Sequence, residues 1–382
     1  MKKLEKVILI ACALLGCMTA CHKEPETELT DETQAAVIEQ YVNHTIAPTY
    51  TNLANYTDQL VDELKALKAN RTQGNLDKAC STFLTARAWW EKSEAFLFGA
   101  ASDFGIDPHI DSWPLDVSAF NTMMTNTAQI EAMDAEDGDV YAGEKLGNSL
   151  LGFHGIEYIL FSNGSAKSVS ELTDLQLIYA VAVAGDLRNR CFQLEVSWIG
   201  DKAAASHVAK VEELELNSTV NGGDYSYGDN MKNAGKLGST YSTTVAGLMA
   251  IVDGCKTIAD EVGTSKIGKP YNGEDPDYIE SPYSQRSIED FENNIISIEN
   301  AYFGGVPGEQ VENLSLHNYV KTLDADLDSK VVAAINNAKA KIKAMPVPFV
   351  QNYTNAANGE AIIACQALDD ILSEVNSALR NN

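Results

Sequence analysis

Gly152-Phe153-His154-Gly155-Ile156-Glu157-Tyr158-Ile159-Leu160-Phe161 places one imidazole and one carboxylate three residues apart in an otherwise apolar run. In a helix, residues i and i+3 share a face, so His154 and Glu157 point to the same place. Ionisable groups on a buried apolar element cost free energy unless paired, hydrogen-bonded or coordinated. The pair therefore requires a structural partner, a metal or a substrate. The spacing is not His-Glu-x-x-His, the helical zinc pattern that supplies two imidazoles and a base, and the chain has no such motif.

On either side of this run the pattern is helical. Residues 32–70 carry apolar side chains at Val37, Tyr41, Ile46, Leu53, Tyr56, Leu60, Leu64 and Leu67, mostly three, four or seven apart. Pro48 is expected to kink or interrupt that helix. A second helix is expected from about 75 to 98, then a loop rich in Asp, Pro and Gly from Ala100 to Asp116, in which His109 faces solvent. Further helices are expected at 117–134, 144–161, 170–198, 237–262, 287–301, 311–319, 328–344 and 356–379, with a Gly/Pro/Tyr-rich connection over 264–286. No convincing strand pattern is present beyond short candidates. The fold class is all-α, in two helical-bundle-like halves, 33–200 and 201–382, joined near residue 200.

The start of the chain reads as an export signal over residues 1–21. Met1-Lys2-Lys3-Leu4-Glu5-Lys6 is basic, and the apolar run from Val7 to Gly16 is too short to span a bilayer. Leu14-Leu15-Gly16-Cys17 and Met18-Thr19-Ala20-Cys21 both resemble a lipobox. Cys21 is favoured over Cys17 because a polar tether, residues 22–32, follows it directly. Lipid on one cysteine would hold a soluble domain at a membrane surface. The tether is similar to the export tag of surface-exposed lipoproteins in Bacteroides-like bacteria. The expected location is the cell envelope, anchored in the outer membrane.

With 28 Lys+Arg against 54 Asp+Glu, the net charge of −26 excludes nucleic acid and anionic lipid as bulk electrostatic partners. Cys80, Cys191, Cys255 and Cys365 lie far apart in apolar contexts with no C-x-x-C pair. They are either disulfide-bonded or buried free thiols, and a cysteine metal cluster is not expected. The Gly-rich pieces lack the strand–turn–helix setting of a nucleotide site.

Four segments carry a family resemblance. Gly152-Phe153-His154-Gly155-Ile156-Glu157 matches the G-x-H-x-x-E signature of the imelysin family, grouped as the M75 peptidases. Arg87-Ala88-Trp89-Trp90-Glu91-Lys92-Ser93-Glu94-Ala95-Phe96-Leu97-Phe98-Gly99 resembles that family's R-x-x-W-x-x-S-E-x-F-x-F-G helix. Asp107-Pro108-His109-Ile110-Asp111-Ser112-Trp113-Pro114 resembles its D-P-x-I-D-x-W-P segment, and Ser281 to Asn294 its second-half motif. The resemblance spans about residues 33–380. It implies two bundle-like halves with a site near their junction, an exported and often lipid-anchored protein, and a link to iron. A related component of a ferrous-iron uptake system has segments that map onto Arg87, Trp90, Glu91, Glu94, Asp107 and Asp111.

Glu91 and Glu94, three apart on one expected helix, repeat the His154–Glu157 geometry. Two such helices facing each other would bring together one imidazole and three carboxylates, a donor set suited to Fe first and to Zn or Mn next. The candidate metal ligands are His154, Glu157, Glu91, Glu94 and Asp111, supported by Arg87, Trp90, Trp113 and Asp107. In a peptidase, Glu157 and His154 would be the catalytic pair. Against both readings, Arg87 and Glu91 make a natural i, i+4 ion pair, which would lock helices together and bind nothing. Ser281 and Ser284 lack the Gly-x-Ser-x-Gly context of a nucleophile. The expected function is capture of iron or an iron-bearing ligand for uptake, with a transport partner in the envelope. A metallopeptidase and a purely structural helix lock are the alternatives.

Overall fold

The structure is a computed structural model that describes residues 29–382. Both lipobox cysteines, the signal and most of the tether lie outside the described residues. Thr30 caps the first helix, Asp31–Tyr41, by accepting from the Thr33 amide. No described helix is long and apolar enough to cross a membrane.

The chain is all-α apart from one pair of two-residue strands, Phe161–Ser162 and Ser165–Ala166. In the first half, helix Ala47–Ala69 lies between Gln73–Glu91 and Asp174–Ile199. In the second half, Ala356–Asn381 packs on both Thr244–Glu261 and Ala325–Lys343, and Ser287–Phe303 packs on Ala325–Lys343. Helix Asp31–Tyr41 packs against Thr244–Glu261. One core cluster runs from Val37 to Leu379 through both groups.

Local chemistry sets the ends. Thr173 and Gln176 form a capping box at the start of Asp174–Ile199. In Ala356–Asn381 the buried Ala361, Ala364, Cys365, Leu368, Leu372, Val375 and Leu379 recur at helical spacing along one stripe. At Pro48 the helix is displaced rather than broken. A π turn, Val42–Ile46, precedes Ala47–Ala69, and Pro48 sits in that helix's first turn. The His44 carbonyl, which an amide at position 48 would have used, accepts instead from the Val306 amide at 2.9 Å.

Three sequence expectations need correction. Residues 100–116 contain helical turns, Ala100–Asp103 and Ile106–Ile110. The 264–286 connection opens with a π turn, Val262–Lys266, and a short helix, Gly268–Asn272. The helix expected to run to Phe98 ends at Glu91, because Ser93 turns back on it: both its amide and its hydroxyl donate to the Trp90 carbonyl, at 2.7 and 2.6 Å. Glu94 begins a separate 3-10 turn, Glu94–Phe96, so Glu91 and Glu94 do not share a helix face. All four described cysteines are free and buried.

The two halves meet where Gln73–Glu91 packs on Ser287–Phe303 and where Glu94–Phe96 packs on Thr244–Glu261. The sequence-predicted site residues converge at this junction.

Candidate functional site

Helix Gly152–Leu160 is buried at every position but Tyr158. Gly152 has φ +67°, and a Cβ there would meet the Ile110 carbonyl at 1.9 Å, so only glycine lets this helix start against the Ile106–Ile110 turn. That close approach lays His154 over Asp111, the residue that follows Ile110. The His154 Nε2 lies 3.0 Å from Asp111 Oδ1, and its Nδ1 faces Glu157 Oε2 at 3.6 Å, an ion-pair rather than a hydrogen-bond distance.

Asp111 is the hub. It accepts from Trp90 Nε1 at 2.6 Å and from Arg87 Nη1. The other arm of Arg87, Nη2, lies 2.6 Å from both Glu91 Oε1 and Glu280 Oε1. A second buried cation, Lys266, lies 3.2 Å from Glu280 Oε1 and 3.6 Å from both Glu91 Oε2 and Glu94 Oε1. Asn294 donates to Glu91 Oε2 at 2.5 Å, and Ser281 donates to Asp290. Arg87, Glu91, Glu94, Asp111, His154, Glu157, Lys266, Glu280 and Asp290 are all buried. They form a buried ionic lattice of six carboxylates and three cationic groups beneath the junction.

The third wall is the loop before Ser287–Phe303. Ser281 and Gln285, at φ +49° and +58°, turn its backbone so that the amides of Tyr283 and Ser284 both point at Glu157. Glu157 Oε1 accepts from them at 3.1 and 2.7 Å, and from the Ser284 hydroxyl at 2.7 Å. Ser284 therefore holds Glu157 in place.

Burial and partners together set the protonation states. Burial disfavours a charged His154, but the hydrogen bond to Asp111 and the facing Glu157 outweigh it and lift the ring to about 9. Burial would raise Asp111, yet Arg87 and then His154 hold it well below the usual carboxylate range. Burial pushes Glu91 up to about 7 despite Arg87, and Glu94 well upward despite Lys266.

Above the lattice lies an open cleft of about 780 Å³ between Glu94–Pro108 on one side and Val220–Tyr241 and Ala250–Glu261 on the other. A neck of about 220 Å³ leads down from it, lined by Asp107, Asp111, Trp113, Glu261 and Tyr278 among others. Glu94, Leu97, Asp107, Pro108 and Glu261 line both compartments. Burial pushes Asp107 up to about 7, with Asp111 adding to the rise. Trp113 is the partition: its ring packs on His154 at 5.7 Å and on Tyr278 at 5.1 Å, with Lys266 Nζ 5.3 Å from its centre.

The expected residues thus divide between two environments. His154, Glu157, Glu91, Arg87 and Trp90 belong to the lattice, Asp107 and Trp113 to the neck, and Asp111 and Glu94 to both. His109 is not solvent-facing. Its Nε2 is 2.7 Å from Asp186 Oδ2, on helix Asp174–Ile199. Lys266, Glu280 and Glu261 carried no sequence signal, since they sit at a helix end or in the aperiodic connection after it. Asp290 and Asn294 were visible only as members of a motif, without a role.

By donor chemistry, the Glu91, Asp111 and Glu280 carboxylates are compatible with a divalent metal, each offering an oxygen within 4.8 Å of the others. The Arg87 guanidinium, however, stands among the three and reaches all of them. A ligating histidine presents a neutral nitrogen to its metal, whereas both His154 nitrogens face carboxylates and the ring is held as imidazolium. As arranged, the lattice holds its own cations in the place a metal would take.

Comparison with known proteins agrees with this architecture. The family model described as Peptidase_M75: Imelysin matches residues 46–375. Iron-regulated protein A of Synechococcus elongatus is 25% identical over 357 residues, covering 94% of this chain and 87% of that protein. A crystal structure named for an iron-regulated protein A precursor from Parabacteroides distasonis superposes with a TM-score of 0.77 at 27% identity, over 92% of this chain and 96% of that one. An imelysin-like protein from Psychrobacter arcticum shares the fold, with a TM-score of 0.61 at 14% identity over 92% and 94% of the two chains. With the family model spanning most of its length, the chain belongs to the imelysin (peptidase M75) family.

Proposed function

We propose that this chain is a receptor of iron acquisition, carried on the cell envelope by a lipid on Cys21 or Cys17, and that its cargo enters the cleft above Glu94. The observation that carries the reading is the pairing of an open acidic cleft with a buried ionic floor that already holds its own cations, Arg87 and Lys266. Glu94, Asp107 and Glu261 line both compartments of the cleft, and burial raises the first two, so that an arriving cation, by favouring their charged forms, takes the place of a proton. The names of the similar proteins, iron-regulated protein A among them, support iron as the cargo. The signal-like start supports export and anchoring, and delivery from the cleft calls for a transport partner in the envelope.

In this reading His154 and Glu157 bind no metal. They fasten helix Gly152–Leu160 to Asp111 and to the 281–285 loop, and so fix the floor of the cleft. The metallopeptidase alternative needs a metal with an open coordination position beside a water. The buried carboxylates around Arg87 do not fit that requirement, and no hydrolytic step is assigned.

Calorimetric titration of the metal-stripped protein with ferrous and ferric iron sources tests the reading. Saturable binding that weakens about tenfold or more in Glu94→Gln, and survives in Ser284→Ala, is expected. Binding that survives in Glu94→Gln but vanishes in His154→Gln would move the site into the lattice. No binding of any iron source would end the receptor reading.

A further inference from the structure

Building on the receptor reading, we propose that the cleft selects a ferric chelate carrying net positive charge on an apolar body, of the hydroxamate type with a pendant ammonium, and rejects anionic chelates. The cleft is far larger than a bare ion requires: its volume of about 780 Å³ lies within the range of organic-ligand pockets, ~300–1,000 Å³. Its outer walls are those of a site for an organic body. Phe98, Tyr227, Tyr241 and Ile258 offer apolar faces, and Asn221 and Thr257 offer polar groups.

Charge sets the class. Among the described residues, no lysine, arginine or histidine lines the cleft or its neck, while Glu94, Asp103, Asp107, Asp111, Asp253 and Glu261 do. Asp103 accepts from the Tyr227 hydroxyl at 2.7 Å and Asp253 from Asn376 at 2.5 Å, which leaves further lone pairs on each carboxylate. An anionic chelate entering here would face carboxylates such as Asp103, Asp253 and Glu261 with no counter-ion on the wall.

The cleft carboxylates are also too dispersed to cage one ion. Among the described residues, the only acidic trio whose oxygens lie within 4.8 Å of one another is Glu91, Asp111 and Glu280, in the lattice beneath. Dispersed acceptors suit positive charge spread along a molecule.

Two groups in the wall have unspent capacity. Glu94 is 6% exposed, yet no hydrogen bond reaches its carboxylate among the described residues, and its nearest cation is Lys266 at 3.6 Å. Trp113 Nε1 is buried without a hydrogen-bond partner beside the neck. An ammonium would satisfy the first, and a carbonyl or hydroxamate oxygen the second.

The test titrates the full-length lipoprotein in detergent with ferrioxamine B, its metal-free form and ferric citrate, following Trp fluorescence and heat. Ferrioxamine B should bind, and ferric citrate at least about tenfold more weakly. Affinity for ferrioxamine B should fall with added salt, and about tenfold in Glu94→Gln and in Glu261→Gln, a cleft-wall substitution outside the lattice. Ferric citrate binding as tightly as ferrioxamine B, or unchanged affinity in both variants, would overturn the proposal while leaving an iron receptor in place. Equal affinity for the metal-free and ferric forms would uphold the charge selection and remove iron as the cargo.

Discussion

The lattice around Arg87 and the cleft above it are both built on carboxylates, and differ in what answers them. In the lattice, Arg87, Lys266 and His154 stand among Glu91, Asp111, Glu157 and Glu280. In the cleft, Asp107 and Glu261 line an open space that no cationic side chain of the described residues lines. Carboxylates with internal counter-ions make structure, and those without them are left to make recognition. Glu94 stands at the border, with Lys266 behind it and the cleft in front.

Removing a cation from the compensated side should have the largest effect. Arg87→Ala leaves the buried Glu91 and Glu280 with Lys266 as their remaining cation and Asp111 with His154, and loss of one partner from a buried ionic group costs about 3–5 kcal/mol. Chemical denaturation should show a loss of that size. A loss below about 1 kcal/mol, the worth of an exposed pair, would mean that water reaches the lattice and that the contrast is false.

The second effect is a pH slope. His154 has a folded pKa of about 9 against about 6.5 when unfolded. Its raised pKa contributes stability that is fully present below pH 6.5 and lost as pH rises through 9. Glu91, lifted to about 7, and Glu94 and Asp290, pushed well upward by burial, add slopes of the same sign, so the share of His154 is the difference between parent and variant. Stability measured against pH should fall more steeply between about pH 7 and 9 in the parent than in His154→Gln. Equal slopes would show that the ring is not held as imidazolium.

The smallest effect lies on the uncompensated side and has the opposite sign. Asp107 is lifted to about 7, so above its unfolded pKa the folded state bears a cost that Asp107→Asn removes. The variant should be more stable than the parent by about 1 kcal/mol at pH 8, and by less at pH 5, as expected where function and stability compete. A thermal melt at the two pH values checks it. Destabilisation at pH 8 would place Asp107 with the lattice.

Much of this was legible in the sequence because local spacing carries it. The buried His154–Glu157 face and the Arg87–Glu91 pair are i+3 and i+4 relations, and the long helices follow from apolar periodicity. What was not legible depends on chain crossings. Lys266 and Glu280 lie in a connection without periodicity and reach Arg87's neighbourhood only after both halves dock. The expected Glu91–Glu94 face failed on one residue, Ser93, whose hydroxyl and amide donate to the Trp90 carbonyl and end the helix at Glu91. Gly152 was readable as part of a motif, but its reason, the Ile110 carbonyl at its back, exists only in three dimensions.

The π turn Val262–Lys266 joins Glu261, which faces the cleft, to Lys266, which is sealed in the lattice. A π turn holds one more residue than an α turn, and one residue is worth about 100° of rotation around a helix. The length of this segment thus acts as an indexing pin. A single deletion would swing the ammonium out of register with its three carboxylates, whereas changes in the identity of the exposed Thr264 leave the indexing intact. Variation in this stretch is constrained by count more than by composition.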